Sequence, residues 1–154
     1  MNARIDYIKQ APGAYRAMAG LELYLGKCGL EKGLLHLLKL RASQINGCAF
    51  CIDMHTTEAL ADGENPTRLH LLSVWRETPL FSAREQAALA WTESVTRIAD
   101  HGVPEALYEQ AKGQFTEEEL VNLTLAVAAI NGWNRISIAF AVPPVLKDFK
   151  KEQE

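Results

Sequence analysis

Cysteine is scarce: three in 154 residues are too few to staple a disulfide scaffold. A surplus of positive charge is also missing. Sixteen Lys and Arg face nineteen Asp and Glu, for a net charge of −3, which argues against a nucleic-acid partner. No apolar run approaches the ~20 residues of a membrane span. The strongest, Leu120 to Ile130, is interrupted by Asn122 and Thr124 and ended by Asn131. The segment Met1 to Gly20 carries Asn2, Arg4, Asp6, Lys9 and Gln10 and lacks the apolar stretch of a secretory signal. A cytoplasmic, reducing location is therefore expected, where neighbouring cysteines suggest redox chemistry or metal before a structural cross-link. Repeats and linkers are absent too, so residues 1–154 read as one domain. The mixed-sign cluster Lys147, Asp148, Lys150, Lys151, Glu152 reads as a solvated tail.

What is present is helical periodicity. With 48% hydrophobic residues the chain can bury a core, and strict alternation is rare. Tyr15 to Lys27 places Met18, Leu21 and Leu25 on one face, with Gly29 just beyond its end. Glu31 to Ile45 follows, with Leu34, Leu35, Leu38 and Ala42 on a face, and Asn46-Gly47 breaks it. A helix from Cys48 to about Ala61 closes at Asp62-Gly63. Asn65-Pro66 opens another through about Glu77. Ser82-x-x-Glu85 is a capping box ahead of a stretch to Ile98. Pro104 starts a helix to Lys112, and Thr116-x-x-Glu119 opens a long one to about Ala141, stopped by Pro143-Pro144. The expected class is all-α, of about seven helices. The last long helix is apolar nearly all round and needs cover on every side. Either a second subunit supplies it, making a homo-oligomer, or the other six helices wrap it; the homo-oligomer is the expectation.

The chemistry concentrates in Cys48-Ala49-Phe50-Cys51-Ile52-Asp53-Met54-His55. At ~100° per residue, positions 48, 51 and 55 fall within about 60° of one helix face, and Asp53 points nearly opposite. Cys48 lies in the opening turn, where free N–H groups and the helix dipole favour a thiolate. His55, one turn after Cys51, is its natural proton partner. Such a dithiol either exchanges disulfides with a partner, or attacks a peroxide and resolves the sulfenic acid as a disulfide. The imidazole favours Cys51 as attacker and the dipole favours Cys48; spacing alone leaves both open.

The segment from Leu40 to His55, LRASQINGCAFCIDMH, resembles the signature of the AhpD-like alkylhydroperoxidases of the carboxymuconolactone decarboxylase superfamily. Asn65-Pro66, Phe81-Ser82-x-x-Glu85 and Asn131-Gly132-Trp133-Asn134-Arg135 occur in the order expected of that family. The resemblance implies an all-α subunit assembling into dimers, trimers or hexamers without a bound cofactor. It implies reduction of organic hydroperoxides, with Cys51 peroxidatic, Cys48 resolving and His55 in a proton relay. A lipoylated or other thiol-carrying protein would restore the dithiol. Two positions depart from the pattern. His36 stands where the relay usually has a glutamate, so His36→Glu is expected to raise turnover; a His36–water–His55 relay is the alternative. Phe50 stands where some members carry histidine. Disulfide exchange survives both departures, and lactone decarboxylation ranks below redox chemistry because that branch typically lacks the cysteine pair.

Other readings compete. Cys48 and Cys51 as buried small apolar residues is the bland one. A metal site would use Cys48, Cys51 and His55, with Cys28 or His36 as a fourth ligand, although structural zinc usually draws ligands from separated pairs; a non-catalytic metal-binding or assembly module would keep the helix without the chemistry. Cys28 reads as a packed thiol, and His70 and His101 as surface residues. Trp75, Trp91 and Trp133 read as packing residues. Asn131, Asn134 and Arg135 read as a hydrogen-bonded interface rather than a catalytic set. Glu117, Glu118 and Glu119 complement the dipole of the last helix.

Overall fold

The computed structural model describes residues 2–146; the charged cluster from Lys147 onward lies outside them. Nine α-helices and one 3₁₀ turn, with no strand, make up the described residues. They are α1 (Tyr7–Gln10), α2 (Pro12–Leu25), α3 (Lys32–Asn46), α4 (Ala49–Ala61), α5 (Pro66–Leu71), the 3₁₀ turn Leu72–Glu77, α6 (Ala83–Thr96), α7 (Ile98–His101), α8 (Glu105–Lys112) and α9 (Glu117–Ala139). The all-helical expectation holds, and the count of about seven changes for local reasons. The single helix expected from Pro66 to Glu77 changes character at Leu72, with Val74 outside helical geometry (φ −121°, ψ 30°). The stretch expected to run on to Ile98 stops at Thr96, and Ile98–His101 forms a separate turn closed by Gly102. Helix α1 has no counterpart among the expected helices, because four residues carry no readable period.

Helix starts follow the capping chemistry. Asn65 accepts from the Thr67 amide, and Ser82 with Glu85 and Thr116 with Glu119 form complete capping boxes. Helix α3 is the hub, packing against α4, α6 and α9. Its Leu37, Leu38 and Leu40 are sealed from solvent, each contributing roughly 1.5–3 kcal/mol of burial. Leu34, Leu35 and Leu38 meet Leu123, Ala126 and Val127 of α9 in one cluster, while Leu37 and Leu40 meet Leu72, Trp75 and Leu89 in another. Trp75 and Trp91 pack as expected.

A charged knot ties three elements together. Glu93 of α6 accepts from Arg41 Nε of α3 (2.7 Å), from Trp75 Nε1 (2.9 Å) and from Arg76 (2.5 Å) of the 3₁₀ turn. The Arg41 side chain is largely buried, so removing its carboxylate strands a cation in poor solvent. Glu93→Ala is expected to cost about 3 kcal/mol, lowering Tm by about 6–12 °C in a chain of this size; thermal unfolding by circular dichroism checks it.

Helix α9 is not covered on every side by its own chain. Val121 is 67% exposed, Ala128 is exposed and Leu125 half-buried. With Trp91, Tyr108 and Leu120 they line a groove of about 570 Å³. No helix among the described residues is long and apolar enough to cross a membrane.

Candidate active site

The turn between α3 and α4 sets the site. Gly47 adopts the left-handed conformation (φ 68°, ψ 34°) that glycine takes without steric cost. Its N–H bonds to the Gln44 carbonyl and the Cys48 N–H to the Ser43 carbonyl, closing α3 in a Schellman-like cap. Cys48 therefore sits at the N-cap of α4, one position ahead of the expected opening turn. Cys51 and His55 follow on the same face of α4, and all three are buried. Asp53 faces away, accepting from the Val145 and Leu146 amides.

The two sulfurs lie 2.8 Å apart as free thiols, each 1% exposed. Ionisation is divided unequally between them. The Cys51 thiol hydrogen-bonds to Cys48 and brings the Cys48 pKa down to about 6, with lesser help from the Cys51 amide, Asn134 and Ser137. Cys51 is pushed up, first by that same bond, then by burial and by the Cys48 charge. The shared hydrogen bond thus favours ionisation at Cys48 over Cys51. Access runs the other way. Cys51, and not Cys48, lines a cavity of about 400 Å³ shared with Phe50, Met54, His55 and Ser137. Ser137 Oγ is 3.8 Å from Cys51 Sγ.

Aromatic rings form one wall. Tyr7 and Tyr15 have centroids 6.4 Å apart and Tyr15 meets Trp133 edge-on at 6.0 Å. Trp133 thus lines the cavity, and its indole N–H donates to Glu22 (3.1 Å), which also pairs with Lys39. The Tyr7 hydroxyl is held above the usual range chiefly by burial and then by Tyr15.

The two histidines meet here, each with a carboxylate. His55 Nδ1 donates to Glu58 Oε2 (3.2 Å), and His36 Nε2 donates to Asp62 Oδ2 (2.6 Å). Candidate ligand atoms of His36, His55 and Glu58 lie within 4.8 Å of one another. Glu58 is held below the usual carboxylate range chiefly by the His55 hydrogen bond. Asp62 is lowered by Lys32 first and then His36. Spacing could have flagged Glu58, three residues after His55 on the same face; nothing in the sequence marked Asp62, Tyr7 or Tyr15.

Asn131, Asn134 and Arg135 bond within the chain. Asn46 donates to Asn131 (3.0 Å) and Asn134 (2.8 Å), Asn134 donates to Ser43 (3.0 Å), and Arg135 donates to Asn131. This network pins α9 to the turn that presents Cys48. Cys28 is packed against the core and its thiol bonds to the Leu25 carbonyl (3.2 Å). Among the described residues the metal-capable cluster contains none of the cysteines, so the ligand set Cys48, Cys51 and His55 with Cys28 or His36 is not the one the fold assembles. His70 and His101 are exposed, as expected.

Comparison with known proteins adds lineage to this geometry. The model of the carboxymuconolactone decarboxylase family matches residues 10–94. The uncharacterized protein YdfG of Bacillus subtilis is 41% identical over 139 residues, spanning 90% of this chain and 95% of that one. A crystal structure from Agrobacterium tumefaciens, of a protein of unknown function provisionally described as the antioxidant defence protein AhpD, superposes with a TM-score of 0.92. It is 44% identical and covers 95% of this chain and 100% of that one. The debrominase Bmp8, solved with 2,3,4-tribromopyrrole, shares the fold at a TM-score of 0.82 with 16% identity, over 90% of this chain and 74% of that one.

Proposed function

Because the chain belongs to the carboxymuconolactone decarboxylase family as an AhpD-like member, we propose that it is a thiol-dependent peroxidase that reduces alkyl hydroperoxides through Cys51 and Cys48. The observation that carries this reading is a pair of sulfurs 2.8 Å apart, one of them facing a cavity beside a buried imidazole. At neutral pH the pair holds one proton, and its shift to Cys48 leaves the thiolate on Cys51, the sulfur a substrate reaches. Cys51 attacks the terminal peroxide oxygen; the O–O bond breaks and an alkoxide leaves. His55 protonates the alkoxide, giving the alcohol, while Cys51 becomes a sulfenic acid. Cys48 then attacks the Cys51 sulfur, its proton joins the departing hydroxide as water, and the disulfide forms. From 2.8 Å the sulfurs need close by only about 0.8 Å to reach bonding distance. A lipoylated or other thiol-carrying protein returns two electrons and two protons.

Glu58 orients His55, and Asp62 orients His36, which passes a proton from solvent to His55 once the alkoxide has been protonated. Carboxylates therefore reach both imidazoles from α4 and its cap, which reverses the outcome first expected for His36→Glu. A third carboxylate beside Glu58 and Asp62 adds like-charge repulsion, and turnover is expected to fall about tenfold, ~1.4 kcal/mol; hydroperoxide kinetics on the variant check it.

The test of the function is steady-state consumption of cumene hydroperoxide with a panel of dithiol donors. Turnover supports the reading. Reduction of a disulfide substrate by the reduced chain, without peroxide turnover, would favour the second one: a disulfide-exchange oxidoreductase, which the same sulfur pair supports.

The groove beside α9 suits a second copy of the chain, making the active form a homo-oligomer located in the cytoplasm. Val121→Glu, which sets a charge in that apolar groove, is expected to lower the mass measured by light scattering to that of a 17.1 kDa monomer. An unchanged mass above the monomer would place the contact elsewhere.

A further inference from the structure

We propose that His36, His55 and Glu58 form a binding site for one divalent transition-metal ion, separate from the sulfurs. Their ligand atoms already lie within 4.8 Å of one another. The two imidazoles are buried, while the Glu58 side chain is 52% exposed and already reaches His55. Two imidazoles and one carboxylate are a donor set that zinc and similar ions favour, at 2.0–2.2 Å per ligand. With Asp62 on Nε2 of His36 (2.6 Å), Nδ1 is the nitrogen left to coordinate. This is the carboxylate–histidine support that orients metal ligands in general. An ion would take the place of the proton that His55 and Glu58 now share at 3.2 Å.

Charge and access agree. Glu58, Asp62 and Glu22 surround the site with three carboxylates, against the two ammonium groups of Lys32 and Lys39. The formal balance is −1 before a cation arrives. His55 and Glu58 line the 400 Å³ cavity, so solvent can fill the remaining coordination positions. The thiols stay outside: Cys48 and Cys51 bond to each other. An ion at this site engages His55, so it competes with the proton step whichever redox reaction the sulfurs perform.

Titration calorimetry with zinc chloride on the Cys48→Ser/Cys51→Ser chain tests the site independently of any activity. One zinc per chain is expected, with X-ray absorption showing nitrogen and oxygen neighbours and no sulfur. Glu58→Gln and Asp62→Asn, both at exposed positions and checked for folding by circular dichroism, are each expected to weaken binding by about tenfold or more. Zinc bound by the wild type but lost from the double-serine chain would assign it to the thiols and overturn the proposal. So would an absence of stoichiometric binding, or affinity unmoved by Glu58→Gln.

Discussion

Cys51→Ser is expected to abolish hydroperoxide turnover, by about 10³-fold or more, because a serine hydroxyl is far less ionised than a thiol at neutral pH. The companion variant separates the two sulfurs. In Cys48→Ser, Cys51 still opens onto the cavity but nothing resolves its sulfenic acid, so one equivalent of peroxide is consumed and turnover stops. A sulfenic-acid reagent such as dimedone should label Cys51 in that variant, while Cys51→Ser consumes no peroxide. The pH dependence follows from the shared proton. Cys48 ionises at about 6 because Cys51 donates to it. The monoanion is therefore present above that pH and lost as pH falls through it. Single-turnover rates should drop below pH about 6. In Cys48→Ser the anion can no longer be held as a thiolate on Cys48, so the rate should need a markedly higher pH.

Removing the imidazole is the second large effect. His55 is buried on the Cys51 face of α4 and bonded to Glu58. Without it the leaving alkoxide must find its proton in a cavity walled by Tyr7, Tyr15 and Trp133. General acid catalysis of this kind is worth about 10²–10⁴-fold, so His55→Ala should lose that much of kcat. Glu58→Gln keeps the imidazole and loosens its orientation, and its loss should be smaller. The contrast has an internal control: disulfide formation by a chemical oxidant such as diamide bypasses the alkoxide and should proceed in His55→Ala. A His55→Ala variant with unchanged kcat would remove the imidazole from the mechanism.

How much of this was legible in the sequence differs by element. Capping boxes at Ser82 and Thr116 and the Asn46-Gly47 break predicted helix boundaries to within a few residues, because caps are local chemistry. The C-x-x-C-x-x-x-H spacing predicts both sulfurs and His55 on one face; Cys51 and His55 ride α4, while Cys48 caps it one position ahead of the expected opening turn. What was not legible required tertiary contact. Asp62 reaches His36 across the α3–α4 pair, and Tyr7 reaches the cavity from a four-residue helix with no period to read. Trp133 packs against the Ala42, Cys48, Cys51 and Ile130 cluster as its spacing predicts, and its other side walls the cavity, which hydrophobicity alone does not reveal. The sequence marks α9 as apolar nearly all round, but it does not say that Val121 and Ala128 are positions the rest of the chain leaves exposed.

Intact-mass analysis of the reduced chain after one equivalent of cumene hydroperoxide measures the chemistry at its source. The chain should become lighter by two hydrogen masses, a peptide map should join Cys48 to Cys51, and one equivalent of the alcohol should appear. A chain that gains stable oxygen at Cys51, or that leaves peroxide and thiols untouched, would contradict a dithiol peroxidase built on this turn.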